Sequence, residues 1–265
     1  MSKSLYNYGT KKVRTLMEEL SKAFRIYAGK PFLFVWGSLL YIISFILCLF
    51  AAAGIFLLYF MALALLGQPF SLESIPTIVI GGLVIFIFLF LSKGLEGALL
   101  MAYNNALTKN KTSLTKFFSY AMYRAPEMFG ISLIRDILFV LLVAPLAAIY
   151  FFVLSGIPYL DILLGVYTLL MFFLTRLMFA PAIVFAGAFE TGMFDSLKKG
   201  FGLIKTKNIY FMILYGIFAF VWILNSIPFI QIVTFFFAYP VVQSAMILMM
   251  KGSGKVDEYK DEEEE

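Results

Sequence analysis

The sequence predicts an all-α, polytopic membrane protein with six transmembrane helices. Its composition predicts the class, because 62% of the 265 residues are hydrophobic and only 14% are charged, too few to cover a water-soluble globule. The helices are expected in three pseudo-repeats, each a cytoplasmic amphipathic helix followed by two spans. This expectation follows from one short pattern, Leu-x-Lys-x-Phe with a cation six residues later, which begins at Leu20, Leu114 and Leu197.

Three parts are expected along the chain. Residues 1–31 form a basic amphipathic segment, residues 32–250 form the six-helix membrane domain, and residues 251–265 form an acidic, disordered tail. The three repeats cover about residues 14–107, 108–190 and 191–250. The tail has seven acidic residues among its last nine, a block of like charge that is typical of solvated, disordered chain.

The N-terminal segment is predicted to form a helix that lies in the membrane interface. Apolar residues recur in it at helical spacing, and cations occupy the other positions. The apolar residues are Leu16, Leu20, Phe24 and Tyr27, and the cations are Lys22, Arg25 and Lys30.

Six apolar segments are long enough to be membrane spans. They are Phe32–Leu66, Ile75–Leu91, Met128–Leu154, Ile162–Phe185, Ile209–Leu224 and Phe229–Met250. The first would be roughly 52 Å long as one helix, against roughly 30 Å of hydrocarbon, so it could instead be two short helices. We expect one long helix, because two would place the basic residues 93–124 on the side opposite to the other cations.

The distribution of cations predicts the orientation of the spans. Seven Lys and Arg residues lie in residues 1–31, five in residues 92–127, four in residues 186–208 and three in the tail. The three loops on the opposite side contain none. By the positive-inside rule, both termini of this cell-membrane protein are expected in the cytoplasm, with the basic face against anionic lipid headgroups.

The second and third copies of the pattern align without a gap at an offset of 83 residues. This register places Ser92 and Lys93 on Thr175 and Arg176, so that a hydroxyl group and a cation recur at matching points. A further hydroxyl, Thr234, keeps the same distance to a following proline, but the cation position there is a phenylalanine. The copies are therefore expected to be similar in fold and different in chemistry.

The segments Ala180–Phe185 and Gly192–Phe201 carry a resemblance to a known family. An apolar stretch containing Pro181, followed by Asp195-Ser196-Leu197-Lys198-Lys199 on an amphipathic helix, resembles the six-helix membrane domain attached to some glycerophosphodiester phosphodiesterases and related uncharacterised multi-pass families. Gly200 departs from that pattern, which has Ser or Ala there. The resemblance implies a membrane domain without assigned chemistry, and it does not imply hydrolase activity.

Placing a charged residue within a membrane span is energetically unfavourable, so such residues are the first candidates for a functional site. Lys93, Glu96, Arg135, Asp136 and Arg176 are predicted at a similar depth in the cytoplasmic half of the membrane. One interpretation is a polar cluster that lines a cytoplasm-facing cavity for an anionic substrate or lipid headgroup. The alternative is a structural ion-pair network whose long side chains reach toward the headgroups.

Further residues have predicted structural roles. Headgroup contacts are expected from six cations, helix kinks from three prolines, and close helix approach from two glycine pairs. The cations are Lys22, Lys30, Lys116, Arg124, Lys199 and Lys207; the prolines are Pro145, Pro181 and Pro240; the glycines are Gly81, Gly82, Gly94 and Gly97.

Function is predicted mainly by exclusion. The chain has no histidine and a single cysteine, Cys48, so we expect no metal site, no cofactor and no enzymatic activity. Nucleic-acid binding is not expected either. The favoured interpretation is a membrane scaffold or partner subunit that interacts with lipid or with other membrane proteins, including copies of itself. The alternative is a transporter or channel for a small anionic or lipidic solute.

Overall fold

The computed structural model describes residues 16–68, 71, 74–154, 157, 159–224 and 227–251, and within these ranges every regular element is helical. Most of the acidic tail therefore lies outside the described residues. Two π-helical segments, Tyr150–Leu154 and Thr234–Ala238, extend α4 and join α7 to α8. The helices are α1 (Leu16–Gly29), α2 (Pro31–Leu65), α3 (Ile75–Leu107), α4 (Leu114–Ile149), α5 (Leu160–Ala188), α6 (Met193–Leu224), α7 (Ile230–Val233) and α8 (Tyr239–Lys251).

Five helical stretches of the described chain are long and apolar enough to cross a membrane. They are Pro31–Leu65, Ile75–Leu107, Leu114–Phe152, Leu160–Ala188 and Ile230–Lys251. The predicted all-α, multi-pass class is confirmed at this level. The segment expected as the fifth span forms the second half of α6, which is not one of these five, so the count of six spans stays a prediction.

The long apolar segment near the N-terminus forms the single helix α2, as predicted. Its buried residues all lie in its first half and end at Ser44. In its second half, large apolar side chains such as Leu57 and Leu58 are exposed, at 62% and 67% of their surface. A stretch of this hydropathy with an exposed apolar surface is suited to contact with lipid or with another membrane protein.

The amphipathic segments differ from the expected arrangement. Only α1 is a separate helix, whereas α4 continues from Leu114 through its apolar part without a break, and α6 does the same from Met193. In α4, Ser113 caps the first turn by accepting a hydrogen bond from the backbone N–H of Lys116 at 3.3 Å. Buried Ala121, Ala125 and Met128 then continue one packed face across the expected boundary, so no turn is needed there.

The described residues form two compact units, one within residues 32–206 and one within residues 1–31 and 207–265. In the larger unit, α3, α4 and α5 pack against one another. A Cβ atom on Gly94 would lie 2.2 Å from the carbonyl oxygen of Ala121, and one on Gly187 would lie 3.2 Å from the Cα atom of Gly97. The glycines therefore let three backbones approach closely.

The prediction that glycines let neighbouring helices approach closely is confirmed for Gly94 and Gly97. It is wrong for Gly81 and Gly82. A Cβ atom on Gly97 would meet Met128 at 3.0 Å. One on Gly81 would meet only a phenylalanine ring edge at 3.9 Å, and one on Gly82 would meet nothing within 4 Å. The first pair lies where α3 packs on α4, and the second faces open space.

In the smaller unit, α1 packs against α8. Buried Tyr27 connects the two parts of the chain, since its hydroxyl group donates a 3.0 Å hydrogen bond to the carbonyl oxygen of Phe236. The Tyr27 ring also meets the ring of Phe237 edge to face, with centroids 6.2 Å apart.

Candidate functional site

The predicted polar cluster begins on α3, next to the glycines that hold this helix against its neighbours. The ammonium group of Lys93 donates to the carboxylate of Glu96 at 2.8 Å, three residues further along the helix. The two side chains are 26% and 31% exposed, so this is a partly solvated ion pair. Such pairs contribute modestly to stability, at about 1 kcal/mol or less.

The α4 part of the cluster is a buried arginine beside an exposed carboxylate. Only 5% of the Arg135 side chain is exposed, against 60% for Asp136. Both Nε and Nη2 of Arg135 lie 2.8 Å from the same carboxylate oxygen of Asp136. The guanidinium is thereby neutralised locally by its neighbour in the sequence.

The α5 part of the cluster is Arg176, whose guanidinium lies over the ring of Phe172 at 4.2 Å from its centroid. This is a cation–π contact, which is stronger when it is shielded from water. The preceding Thr175 is buried and donates its hydroxyl back to the carbonyl oxygens of Met171 and Phe172, at 2.9 and 3.1 Å. That arrangement satisfies a polar side chain inside an apolar helix.

Glu96 connects the three helices electrostatically. Its carboxylate interacts with the positive charges of Arg135 and Arg176 as well as with Lys93. Arg135 and Arg176 thus lie within electrostatic reach of Glu96, and Asp136 pairs with Arg135; with three cations and two carboxylates, the five residues named from the sequence carry a net charge of +1. Each of the two carboxylates pairs with a cation of this polar cluster, Glu96 with Lys93 and Asp136 with Arg135.

A second buried cation surrounded by polar groups was not predicted. Arg124 on α4, expected at the lipid headgroups, has only 3% of its side chain exposed. Its guanidinium lies 3.9 Å from a carboxylate oxygen of Glu127 and 3.9 Å from one of Glu190. The rings of Tyr120 and Tyr123 also pack on it, with centroids 5.5 and 4.8 Å away. These contacts of Arg124 are with protein, and its contact with lipid headgroups stays a prediction.

The geometry around Arg124 is loose for a buried ion pair. Within the described part of the chain, Nε of Arg124 and Oε2 of Glu127 are buried without a hydrogen-bond partner. Glu190 is 55% exposed and has a φ angle of 58°, unusual for a residue with a side chain. The spacing of Tyr120 and Glu127, four residues before and three residues after Arg124 on one helix, was the sequence signal for this site.

Hydrogen bonds from side chains to backbone fix the ends of the helices near Arg124. The Tyr120 hydroxyl donates to the carbonyl oxygen of Gly187 at 2.9 Å, and the Asn104 amide donates to that of Ala188 at 2.7 Å. Both acceptors lie in the last turn of α5, where carbonyl groups lack helical partners. These bonds tie the end of α5 to α3 and α4.

The other predicted headgroup cations lie in different surroundings. Lys22, Lys30 and Lys116 are exposed, and Lys199 is half-buried. The side chain of Lys207 lies outside the described part of the structure. Headgroup contact stays a prediction for these residues.

The three prolines lie within or at the start of helices. Pro145 is exposed in α4, five residues before a π-helical segment begins, and Pro181 is buried in the interior of α5. Pro240 is buried at the start of α8, directly after the second π-helical segment. None of them ends its helix, and their role as kinks stays a prediction.

No group of three or more His, Cys, Asp or Glu side chains in the described part of the chain could hold a metal ion. Cys48 is half-buried on α2. No protein-family model, no curated protein and no solved structure matches the chain. The resemblance to phosphodiesterase-linked membrane domains stays a prediction from the sequence.

Proposed function

We propose that the chain is a non-catalytic membrane scaffold or partner subunit that interacts with lipid or with other membrane proteins. The observation that carries this proposal is the contrast within the larger unit. Around Gly94 the helices are packed too closely to leave an aqueous path between α3 and α4, whereas the second half of α2 exposes apolar side chains such as Leu58. The chain thus combines a rigid core with a broad surface for apolar partners.

Single-cysteine cross-linking in native membranes tests this proposal. In a Cys48→Ser background, Leu58→Cys places one thiol on the exposed face of α2, and Ser44→Cys, at a buried position of the same helix, is the control that should not cross-link. We expect a discrete cross-linked species of fixed mass, twice the chain mass for a homo-oligomer. If every exposed position tried on α2 gives only uncross-linked chain, this helix contacts lipid alone. That result would contradict the proposal that α2 binds other membrane proteins.

Transport of a small anionic or lipidic solute is the second candidate. It is favoured by the polar cluster, in which Lys93, Arg135 and Arg176 lie within electrostatic reach of one carboxylate. Flux of an anion and scrambling of a labelled lipid are measured in liposomes with the wild type and with Arg176→Leu. Flux above that of protein-free liposomes, reduced at least tenfold by the substitution, supports transport. Equal flux from both proteins, no higher than that of protein-free liposomes, would contradict transport.

We also propose six spans in three pseudo-repeats. Local hydrogen bonds support the aligned register, since Ser92, Thr175 and Thr234 each donate to the carbonyl oxygen three residues earlier, at 2.8, 3.1 and 3.1 Å. The residue that follows each of these hydroxyl residues makes a different contact. Lys93 forms an ion pair, Arg176 forms a cation–π contact, and the ring of Phe235 stacks on that of Tyr239 with centroids 5.8 Å apart.

The proposed location is the cell membrane, with both termini in the cytoplasm and the basic residues against anionic headgroups. In the Cys48→Ser background, Asn110→Cys lies in the loop between α3 and α4, and Tyr159→Cys lies at the start of α5. A membrane-impermeant maleimide is expected to label the Tyr159→Cys protein on intact cells and the Asn110→Cys protein only after lysis. The reverse result would place the termini outside.

A further inference from the structure

An open cavity of about 630 Å³ lies between the second half of α4 and the first half of α5. Its lining at one end includes Asp161, Tyr150 and Phe151, and at the other end it includes Phe139 and Phe172. We call it the apolar groove. It begins about one helical turn from the polar cluster, and its lining includes none of the five residues of that cluster.

The dimensions of the apolar groove fit one hydrocarbon chain. Residues 139 and 172 lie at the same level, because their rings meet edge to face with centroids 5.9 Å apart. From there to Tyr150 and Asp161 is eleven residues along each helix, or about 16 Å. Half the hydrocarbon thickness of a bilayer is about 15 Å, so the groove is as deep as one leaflet.

Phe172 closes the inner end of the apolar groove. Its ring contacts Phe139 at its edge and covers the guanidinium of Arg176 with its face, at 4.2 Å. A chain that enters from the Asp161 end therefore meets aromatic carbon at the bottom and does not reach the cation. The inner part of the groove is a site for an alkyl tail.

Two backbone features shape the wall of the apolar groove. Gly165 has open space at its side-chain position, since a Cβ atom there would meet nothing within 4 Å. The π-helical segment Tyr150–Leu154 widens the end of α4 at the mouth of the groove, and single π-helical turns in α-helices often mark functional sites. A larger side chain at position 165 would extend into the groove from this open position.

The mouth of the apolar groove has the chemistry that recognises an ammonium group. Asp161 is exposed there and supplies one carboxylate, in the same lining as the rings of Tyr150 and Phe151. Those two rings lie edge to face, with centroids 5.3 Å apart. Aromatic faces and a carboxylate together attract an organic cation, whereas an anionic headgroup would be repelled.

We propose that the apolar groove binds a single-chain membrane amphiphile with an ammonium headgroup, its tail along Gly165 and its headgroup at Asp161. This site goes beyond the scaffold function, because it specifies a ligand and depends neither on a protein partner nor on flux. Among the described residues that line the groove, Asp161 is the one carboxylate, and it lies at the mouth.

Photolabelling tests the proposal on the full chain in phosphatidylcholine vesicles. The probe is dodecylamine with a diazirine at mid-chain, and dodecanol with the same diazirine is the matched neutral probe. Adducts are mapped by mass spectrometry for the wild type, Asp161→Asn and Gly165→Trp. Gly54→Trp, on α2 and also without atoms within 4 Å of its Cβ position, is the control for added bulk.

We expect the amine adducts of the wild type to concentrate on Leu164 and Leu169, which line the apolar groove. Asp161→Asn should lower amine labelling there at least fivefold and leave labelling by the alcohol unchanged. Gly165→Trp should abolish both, and Gly54→Trp neither. Amine adducts spread evenly over α2 and the groove, or an equal loss of both probes in Asp161→Asn, would overturn the proposal.

Discussion

The hydroxyl group of Tyr27 donates a 3.0 Å hydrogen bond to the carbonyl oxygen of Phe236, four residues before Pro240. In an unbroken α-helix that carbonyl would accept from the N–H of residue 240, which proline lacks. Phe236 lies in the π-helical segment Thr234–Ala238, and Tyr27 supplies a donor to it from α1 at a point where Pro240 offers none. The contact joins α1 to the π-helical segment that leads into α8 and gives a partly buried carbonyl group a hydrogen-bond partner.

Tyr27→Phe is expected to lower the free energy of unfolding by about 1 kcal/mol, because it removes this donor and keeps the ring. The cost should shrink in a Pro240→Ala background, where an alanine N–H can reach the same carbonyl. A double-mutant cycle, followed by thermal unfolding in detergent, measures this coupling. Equal costs in both backgrounds would contradict the assigned role of Tyr27.

The hydrogen bond from Tyr27 to Phe236 also predicts that the stability of the protein depends on pH. Burial raises the pKa of Tyr27 above its ordinary value of 10.0. The hydroxyl group is therefore protonated more readily in the folded than in the unfolded chain, so its stabilising contribution is complete below pH 10 and is lost as the pH rises through the raised pKa. The difference in unfolding midpoint between wild type and Tyr27→Phe should be constant from pH 7 to 9 and should shrink above that range.

Gly94→Ala is expected to destabilise the larger unit by about 1–3 kcal/mol, because its Cβ atom would lie 2.2 Å from the carbonyl oxygen of Ala121 and the helices would have to separate. Gly82→Ala is the matched control on the same helix, where a Cβ atom meets nothing within 4 Å and alanine favours the helix. Unfolding midpoints in detergent check both. A Gly94→Ala protein as stable as the control would mean that α3 and α4 are not in contact there.

Arg124→Gln is expected to destabilise the protein by about 1–3 kcal/mol, because it removes the cation that Tyr120 and Tyr123 cover and leaves the buried Oε2 of Glu127 without a nearby positive charge. Arg25→Gln, an exposed arginine on α1, is the control and should change stability little. If Arg124 bound lipid headgroups instead, its substitution would leave stability in detergent unchanged and would weaken binding to anionic vesicles.

The loop between α3 and α4 gives a fifth prediction. The ammonium group of Lys111 lies 4.7 Å from the centroid of the Trp36 ring, and the indole N–H donates to the carbonyl oxygen of Thr112 at 2.9 Å. In a Trp222→Phe background, the fluorescence of Trp36 reports this contact. Lys111→Gln should shift its emission maximum, whereas Lys109→Gln in the same loop should not. Identical spectra would contradict the cation–π contact.

Some of the site could be predicted from the sequence because helix geometry is regular. The charges on α3, α4 and α5 are placed by hydropathy and by counting turns, and the structure brings Glu96 within electrostatic reach of Arg135 and Arg176. The burial of Arg124 could not be predicted in this way. Its pattern of neighbours is the same for an interfacial helix and for a buried one, and only the tertiary packing of α4 decides between the two.

The sequence by itself determined the helical class, the single long helix α2 and the positions of the charged residues, because hydropathy and periodicity are properties of the local chain. The tertiary structure decided which of two similar glycine pairs lies at a helix contact, which cations are buried, and where a groove opens beside Gly165. These depend on which helix faces meet, and a face that packs on protein has the same apolar residues as one that packs on lipid.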